Sequence, residues 1–302
     1  MSEEFKKQHL VLNEFVLKIL GIVLMTLDHI GFFLCSYSTD SAAYQTGYIF
    51  RILGRIAFPI FAFMLAEGIR NTHNLKKYLL RLGGLYLAIT GFETLMVYAF
   101  PNRFFSPDGL DPEPFTDLFF LALTLACLRL KGPKKLLAIL PIAFLGISFG
   151  CGVYDHFHED NIILWFPRYL RAGYNLLGLG LALCFFYAPS LVKLLYGQRL
   201  VENQIDPDLF LKTSMGRKAI NLLSVGLLLT VIVLFWGISY VTPGREISPE
   251  TDMSLETYAL FSGLILAFYN GERGYDSKPF RIFTYLYFPV HIAILFLLFS
   301  LA

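Results

Sequence analysis

Residues 17–33 read LKILGIVLMTLDHIGFF, and this stretch decides the fold of the chain. A helix needs about 20 largely apolar residues to cross the ~30 Å hydrocarbon core of a bilayer. With its flanking residues, the stretch supplies such a helix over 15–36. It also places Lys18, Asp28 and His29 inside the span, where a charged side chain costs about 2.5–3.5 kcal/mol on insertion scales. The stretch therefore predicts a transmembrane helix whose polar residues need a partner, a water-filled cavity or a function.

The composition of the whole chain agrees with a membrane protein. Of 302 residues, 56% are apolar and only 16% are charged, with a mean hydropathy of +0.58, whereas soluble domains carry about 25% charged residues. The net charge of +2 gives no basic excess that would indicate a nucleic-acid partner. The four cysteines lack the spacing of a redox or metal motif, so no metal is expected. Residues 1–14 are polar and mixed in charge, which argues against a cleavable signal.

Eight further apolar stretches follow the first along the chain. The nine predicted spans cover 15–36, 47–69, 79–100, 115–130, 136–153, 170–190, 219–241, 255–270 and 282–301. The fourth and fifth are short and are separated only by a tight turn. No repeat, low-complexity tract or linker divides the chain, so we predict an all-α polytopic bundle that forms a single domain over residues 1–302.

The distribution of lysine and arginine predicts the orientation of the bundle. With the N-terminus inside, the inner segments hold 18 of the 25 lysines and arginines, the outer segments hold 4, and 3 lie within spans. Cytoplasmic loops of membrane proteins are enriched in these residues. If one span were added or left out, the basic segments would no longer alternate with the outer segments. The pattern therefore favours nine spans, with the N-terminus inside and the C-terminus outside.

The second span, YIFRILGRIAFPIFAFMLAEGI (48–69), carries two arginines. Arg51 and Arg55 are one helical turn apart and share a face, at a depth similar to that of Asp28. Two guanidinium groups this close repel each other unless an anion lies near, and Asp28 is the obvious partner. Pro59 removes a backbone donor and is expected to kink the helix just inside the arginines.

The group that orients His29 must come from another helix. The side chain of its neighbour Asp28 points about 100° away around the same helix, and Glu93 in the third span is one candidate. The last span, YLYFPVHIAIL, places Tyr287 and His291 on one face. A lone buried histidine is more often a satisfied core residue than a catalyst, but a second histidine and two arginines at comparable depth favour a functional role.

Two further features have competing interpretations. Lys18 lies on the His29 face about three turns away, but its side chain could also extend to the inner membrane surface. The outer stretch DHFHED (155–160) has the composition of a metal cluster. A solvated polar loop is the favoured interpretation of that stretch, because a zinc site needs ligands from a rigid frame and a second shell.

Histidine beside arginine and a buried carboxylate fits acyl transfer. Histidine accepts and returns a proton near neutral pH, and arginine stabilises phosphates or a developing oxyanion. On this interpretation His29 is the base or the acyl carrier, Arg51 and Arg55 bind charge, Asp28 holds the arginines, and His291 lies in the same catalytic cavity. The same residues fit a proton-coupled transporter or flippase. A non-catalytic assembly factor is a third alternative, which leaves the two buried arginines unexplained.

Four stretches of the chain resemble the TraX family, whose named member acetylates the N-terminus of a conjugative pilin subunit. They are LKILGIVLMTLDHIGFF, RILGRIAFPIFAFMLAEGIRNTHNLKKYLLRL, FYNGERG and YLYFPVHIAIL. This family is similar to the wider group of transmembrane acyltransferases. In the branch of that group that O-acetylates polysaccharides, a basic residue precedes a first-span histidine at the spacing of Lys18 and His29, with Arg where this chain has Lys.

The resemblance implies an acetyltransferase of the bacterial plasma membrane that uses acetyl-CoA as co-substrate. Residues implied for the phosphates of the donor are Lys18, Lys76, Lys77, Arg81 and Arg273. The positive-inside rule by itself also explains the basic residues of the inner loops. Residues expected to line the substrate cavity are Glu67, Glu93, Asn270 and Tyr287. The acceptor stays open between a pilin-like amine, a glycan hydroxyl and a lipid head group, since a family does not fix a substrate.

Overall fold

The computed structural model describes residues 11–35, 41–99, 112, 114–158, 163–241 and 253–301. Throughout these residues the regular structure is helical, apart from one isolated bridge between Leu12 and Tyr269, so the predicted all-α fold is confirmed. The α-helices are α1 (Glu14–Leu34), α2 (Ala42–Gly54), α3 (Ala57–Asn71), α4 (Leu75–Ala99), α5 (Pro114–Leu128), α6 (Ile139–Phe157), α7 (Asn175–Glu202), α8 (Pro207–Phe210), α9 (Ser214–Val241), α10 (Met253–Glu256), α11 (Ser262–Leu266) and α12 (Lys278–Leu301). Short 3₁₀ helices lie at Gly132–Ala138, Arg168–Leu170 and Thr257–Phe261.

Seven helical segments of the described chain are long and apolar enough to cross a membrane. They cover Glu14–Leu34, Ala42–Asn71, Leu75–Ala99, Gly132–Asp155, Arg168–Glu202, Ser214–Ser239 and Lys278–Phe299. Two shorter apolar helical segments, Pro114–Leu128 and Thr257–Leu266, coincide with the predicted fourth and eighth spans. The polytopic membrane bundle is confirmed. The prediction that the fourth span is short is also confirmed, whereas the fifth, predicted to be short, has full length and the eighth is the other short one.

Although α5 is short, it is hydrogen-bonded to other segments of the chain near both of its ends. Near its start, the Asp117 carboxylate accepts hydrogen bonds from the backbone N–H groups of residues 173–175. Just past its end, Arg129 Nη1 donates to the carbonyl oxygens of Ile69 (2.7 Å) and Thr72 (2.9 Å). A rise of 1.5 Å per residue puts Asp117 and Arg129 about 18 Å apart along the axis. Segments predicted to lie outside and inside the membrane therefore meet opposite ends of α5, as the charge pattern requires.

The chain folds as two compact units. The first comprises residues 1–61, 184–230 and 258–302, and the second comprises 62–183 and 231–257. Each unit combines segments that are distant in sequence. The boundaries between the units fall within α3, α7 and α9, so these helices contribute residues to both. The prediction of a single domain is not decided by this division and stays a prediction.

Within the first unit, the first and last helices run parallel. Their contacts advance together along both chains: Phe15 with Phe280 (ring centroids 4.8 Å apart), Thr26 with Tyr287 (2.7 Å between the hydroxyl oxygens), and Phe33 with Phe296 (ring centroids 5.0 Å apart). Two helices that run parallel cross a membrane in the same direction. The packing of α1 on α12 therefore agrees with an odd number of spans, which the charge pattern also predicts.

Helices α1 and α2 approach closely because glycines lie where they meet. A Cβ atom placed on Gly31 would lie 2.6 Å from the carbonyl oxygen of Gly47, and one on Gly47 would lie 2.7 Å from Leu34 Cβ. Small residues allow helix backbones to approach within a membrane, where packing rather than hydrophobic burial drives association. This close approach brings the arginines of α2 within reach of Asp28.

The second span is interrupted where Pro59 predicts a kink. Helix α2 ends at Gly54 and α3 begins at Ala57. Between them, the backbone N–H of Ile56 bonds to the carbonyl three residues earlier at 3.3 Å. Pro59 has no N–H to offer the Arg55 carbonyl, and a proline ring clashes with the helical carbonyl four residues before it. The α-helix is therefore interrupted at the second arginine, one turn before the proline that predicted a kink.

The second unit holds a buried polar network that the sequence analysis did not predict. Arg171 is fully buried and donates to Asp155 Oδ2 at 2.7 Å. It also donates to the carbonyl oxygens of Phe166 (2.7 Å) and Ile163 (3.2 Å). Asp117, which is likewise fully buried, binds the residues that follow Arg171. These contacts fix the segment that leads into α7, because buried polar groups are costly unless they are hydrogen-bonded.

Replacing Asp117 with Ala is expected to destabilise the second unit. The substitution removes the acceptor of three backbone N–H groups at the amino end of α7, and a buried donor left without a partner costs about 1–3 kcal/mol. We expect the free energy of unfolding in detergent to fall by about 3 kcal/mol or more. The control Asp206→Ala, which removes a cap from the exposed helix α8, should cost about 1 kcal/mol. Equal losses at both positions would contradict this role of Asp117.

Candidate functional site

The first unit contains a cluster in which one carboxylate holds two arginines. Asp28 Oδ2 accepts from Arg51 Nη1 at 3.1 Å, and Asp28 Oδ1 accepts from Arg55 Nη2 at 2.5 Å. The side chains of Asp28 and Arg55 are only 15% and 9% exposed. Opposite charges attract more strongly in such surroundings than at a protein surface. The prediction that Asp28 pairs with the arginines is confirmed.

The backbone and one aromatic ring around the arginines fix this arrangement. Arg51 lies in the last turn of α2 and Arg55 caps its end, and Arg55 Nε also donates to the Arg51 carbonyl oxygen at 3.4 Å. The Phe32 ring covers the Arg51 guanidinium, with its centroid 5.7 Å away, a favourable cation–π contact. Gly54 lies against Asp28, and a Cβ atom there would overlap the Asp28 side chain. A glycine at this position is therefore needed for the ion pairs to form.

Next to Asp28 in the chain, His29 pairs with a histidine of the last helix. His29 Nδ1 lies 2.8 Å from His291 Nε2. The other nitrogen of the buried His291 ring, Nδ1, lies 2.8 Å from the carbonyl oxygen of Tyr287. Phe288 packs edge-on against both imidazoles, at centroid distances of 5.9 and 5.5 Å. The helix that orients His29 is therefore α12.

Tyr287 supports the histidine pair from one turn earlier in α12. Its ring stacks on His291 with centroids 4.9 Å apart. Its hydroxyl lies 2.7 Å from Thr26 Oγ1, which itself donates to the Ile22 carbonyl oxygen at 2.8 Å. Since Thr26 uses its proton in that bond, Tyr287 is the donor between the two hydroxyls. This contact fixes the register of α12 against the turn of α1 that precedes His29.

All five side chains predicted to be catalytic come together in the first unit, and Tyr287 lies beside them. The five are Asp28, His29, Arg51, Arg55 and His291. Thr26 and Phe288 also belong to the cluster and were not among the predicted residues. Thr26 lies three residues before His29 and so shares its helix face, a signal that could have identified it.

Lys18 lies apart from this cluster, at the other end of α1. Its Nζ forms an ion pair with Glu14 at 2.6 Å, one turn earlier in the same helix. Eleven residues separate Lys18 from His29, about 16 Å along the axis. The predicted position of Lys18 towards the inner end of the span agrees with the structure, and its role toward acetyl-CoA stays a prediction.

The stretch FYNGERG (268–274) forms a loop against the amino end of α1. The Leu12 N–H donates to the Phe268 carbonyl at 3.1 Å, and the Asn270 N–H donates to the Leu12 carbonyl at 2.8 Å. Asn270 Oδ1 accepts the N–H of Glu272 at 2.8 Å and closes a turn. Asn270 therefore belongs to this loop and pairs with Leu12, about 25 Å along the axis of α1 from His29. The structure does not bring it to the histidine cavity that it was predicted to line.

The end of this loop and the residues that follow it carry exposed positive charge. The Arg273 side chain is 70% exposed, and its Nη1 lies 4.0 Å from Asp276 Oδ2. Arg281 donates two hydrogen bonds of 2.6 Å to the Asp276 carboxylate, and these bonds lower the pKa of that carboxyl group. Arg273 is therefore accessible to an anionic ligand, as its predicted role requires, although no observation tests that role.

The remaining predicted residues lie in the second unit. Glu67 is buried and bonded to Arg70 and to Asn71 Nδ2 (3.1 Å), all within α3. Glu93, proposed from the sequence as a partner of His29, is buried in α4, whereas the structure gives His29 the ring of His291. Exposed basic side chains at the start of α4 are Lys76, Lys77 and Arg81. Their roles in the cavity and toward the donor stay predictions.

The outer stretch DHFHED (155–160) is only partly described. Asp155 is buried in its ion pair with Arg171, and His158 stacks on a tyrosine one turn earlier. The side chain of His156 and the last two residues lie outside the described part. No group of three metal-binding side chains forms among the residues that the structure describes. The expectation that the protein binds no metal stays a prediction.

Chemically, the cluster combines a histidine base with a fixed positive field. His29 is half-buried, and its Nδ1 is engaged with His291, which leaves Nε2 as the nitrogen for proton transfer. The guanidinium groups bound to Asp28 project from the neighbouring helix. An imidazole base can move one proton, and preorganised positive groups stabilise charge that develops in a transition state. The arrangement suits a reaction in which a proton is removed while an anion forms.

Comparison with known proteins shows which family the chain resembles. The family model described as "TraX protein" matches residues 14–189, more than half of the chain. "Probable fimbrial assembly protein FimC, serogroup H1" from Dichelobacter nodosus is 30% identical over 196 residues, which cover 60% of this chain and 76% of that protein. No solved structure matches the chain. The family match includes Asp28, His29 and both arginines of the cluster, and it ends before His291.

Proposed function

This chain belongs to the TraX family, and from that premise we propose that it is a membrane-embedded acyltransferase. It moves an acetyl group from cytosolic acetyl-CoA to an amine or hydroxyl of an acceptor. The observation that carries the proposal is the His29–His291 contact of 2.8 Å, beside the Asp28 carboxylate that holds Arg51 and Arg55. A proton-coupled transporter needs groups that bind protons. Acyl transfer needs an imidazole base that is held in one orientation, as the His29 ring is held by His291.

Four residues of the cluster have a defined role in this reaction. His29 takes a proton from the acceptor N–H or O–H, and the acceptor atom attacks the thioester carbonyl. This attack forms the new C–N or C–O bond and gives a tetrahedral intermediate. The intermediate then collapses with cleavage of the C–S bond, and His29 returns the proton to the CoA thiolate. Arg51 and Arg55 stabilise the negative charge on the tetrahedral intermediate. Asp28 holds the two guanidinium groups in place, so it acts through them.

The proposed donor is acetyl-CoA, and the proposed acceptor is the amine of a pilin-like subunit. Basic side chains of the first unit, among them Lys18 and Arg273, would bind the phosphates of acetyl-CoA. A relative is named as a fimbrial assembly protein, which supports the N-terminal amine of a pilin-like subunit as the acceptor. A surface glycan is the alternative. The positive-inside pattern supports a bacterial plasma membrane with the donor side in the cytosol.

One observation favours a second candidate, a proton-coupled transporter or flippase. The second span is broken between Gly54 and Ala57, at the residue that pairs with Asp28. Many transporters bind substrates where discontinuous helices expose polar backbone and side chains near the midplane. This candidate predicts substrate movement that depends on a proton gradient and consumes no thioester.

A transfer assay on reconstituted protein separates the two candidates. Proteoliposomes receive [14C]acetyl-CoA on the cytosolic face, and an envelope extract of the source bacterium supplies acceptors. We expect label in the acceptor fraction and an equal release of CoA thiol. Arg55→Ala should lower the rate by about 10²–10³-fold, as loss of an oxyanion donor does. The control Arg199→Ala, at an exposed arginine, should match the wild type. Gradient-driven uptake without thiol release would replace the acyltransferase with the transporter.

A further inference from the structure

The hydrogen bonds around the two histidines assign them different tasks. We infer that His291 is a positioning residue that holds His29 in the tautomer protonated at Nδ1, so that Nε2 of His29 is the catalytic base. This inference rests on the proposed function for its catalytic meaning. The tautomer itself is a property of the folded protein and can be measured without any substrate.

The direction of each hydrogen bond follows from a single backbone group. His291 Nδ1 lies 2.8 Å from the Tyr287 carbonyl oxygen, which can only accept a hydrogen bond. His291 Nδ1 therefore carries a proton. A neutral imidazole has one N–H, so His291 Nε2 is an acceptor. The atom that faces this acceptor at 2.8 Å is His29 Nδ1, which must be the donor. His29 Nε2 then holds a lone pair.

The alternative assignments are unfavourable for physical reasons. If His291 carried its proton on Nε2 instead, its Nδ1 lone pair would face the lone pairs of the Tyr287 oxygen at 2.8 Å. If His291 were protonated on both nitrogens, its positive charge would lie in a residue that is only 6% exposed, close to the positively charged Arg51 and Arg55. An additional buried charge of the same sign is costly.

The surroundings of His291 prevent its ring from turning to another arrangement. One face stacks on Tyr287 at 4.9 Å, and Phe288 packs edge-on at 5.5 Å. Tyr287 is itself fixed by its hydroxyl bond to Thr26. The His291 residue is 6% exposed, so water has little access to compete for its nitrogens. The acceptor that His29 meets is therefore held in one orientation.

The tautomer matters because only one nitrogen of His29 can reach a substrate. Nδ1 is occupied by His291, so the base must be Nε2, and Nε2 must be unprotonated. A neutral histidine in water prefers the opposite tautomer, with the proton on Nε2. Catalytic histidines held in the wrong tautomer lose up to about 10⁴-fold in rate. Without an acceptor at Nδ1, His29 would present an N–H to the substrate where a lone pair is required.

Two substitutions of His291 separate its acceptor from its other contacts. In His291→Gln the amide oxygen extends about as far as Nε2 and can accept from His29 Nδ1, but an amide cannot take up a proton. In His291→Asn the shorter amide keeps a donor near the Tyr287 carbonyl and does not reach His29. His73→Asn, at an exposed histidine, is the control. All variants are prepared as the full chain in nanodiscs with 15N-labelled histidine.

The 15N chemical shifts of the imidazole nitrogens report the tautomer of His29 directly. We expect a protonated Nδ1 and an unprotonated Nε2 in the wild type, in His291→Gln and in His73→Asn, and the reverse in His291→Asn. Acetyl transfer should stay within about tenfold of the wild type in His291→Gln and fall by about 10²-fold or more in His291→Asn.

Three results would overturn the inference or part of it. A wild-type His29 that is protonated on Nε2 rejects the assigned tautomer, whatever the assay of activity shows. Equal tautomers in the Gln and Asn variants reject His291 as the residue that sets it. A Gln variant with the correct tautomer but no activity shows that His291 carries a proton, and so rejects a purely positioning role. Absence of transfer in the wild type counts against the proposed function alone, because the shifts are measured without substrate.

Discussion

His29→Ala should lower acetyl transfer by about 10²–10⁴-fold, the contribution of a positioned general acid–base group. The loss should fall on the chemical step, because the alanine removes Nε2 and leaves Asp28 bonded to Arg51 and Arg55. The rate is measured in single-turnover reactions of reconstituted protein with [14C]acetyl-CoA, which separate the chemical step from donor binding.

Two controls make the His29 result specific. His73→Ala removes an exposed histidine of the second unit and should leave the rate unchanged. His29→Gln keeps a polar side chain that can donate toward His291 but cannot accept and return a proton, so it should be as inactive as the alanine variant. Transfer at the wild-type rate in either His29 variant would refute the assignment of the base.

Asp28→Ala should be the most destabilising change in the first unit. The substitution leaves two poorly exposed guanidinium groups without the carboxylate that binds both, and breaking a buried pair by removing one partner costs about 3–5 kcal/mol. Unfolding in detergent, followed by circular dichroism, measures this loss. Acetyl transfer should fall with it even at temperatures where the variant is folded, because Arg51 and Arg55 lose their fixed positions.

The exposed pair Lys193–Asp208 is a matched control for this effect. Its ion pair is 2.7 Å long, close to the distances at Asp28, but its side chains are 47% and 70% exposed. Exposed ion pairs contribute about 0–1 kcal/mol, so Asp208→Ala should change stability little and transfer not at all. A double-mutant cycle of Asp28→Leu with Arg51→Met isolates the coupling energy of the buried pair. Coupling as small as that of the exposed pair would contradict the importance of the cluster for stability.

Much of the site was predictable because the membrane leaves polar residues few options. The charged side chains of Asp28, Arg51 and Arg55 are costly to place in hydrocarbon. Asp28 is the anion that the sequence places at the depth of the two arginines. Helical periodicity puts the arginines on one face, and Pro59 predicts the break beside them. The structure confirms the ion pairs and the break. The same logic predicted that His29 is held from another helix.

The identity of that helix could not be predicted from spacing. Glu93 and His291 were both polar residues at plausible depth, and the sequence holds no information on which helix packs against α1. The network of Asp117 and Arg171 was missed for a related reason. Both residues lie near predicted membrane boundaries, where water could satisfy them, so their charge gave no signal of burial.

The sequence by itself determined that this chain is an α-helical membrane protein, that its spans alternate with inner basic segments, and that a small set of charged residues is buried within them. Those conclusions depend on local apolar length and on the cost of burying charge, which are properties of each segment alone. Only the tertiary structure decided that His29 meets His291, 262 residues later in the chain. The packing of α12 parallel to α1 brings the two rings together, because hydroxyl and aromatic contacts between the two helices select one register among many that the hydrocarbon core would accept equally.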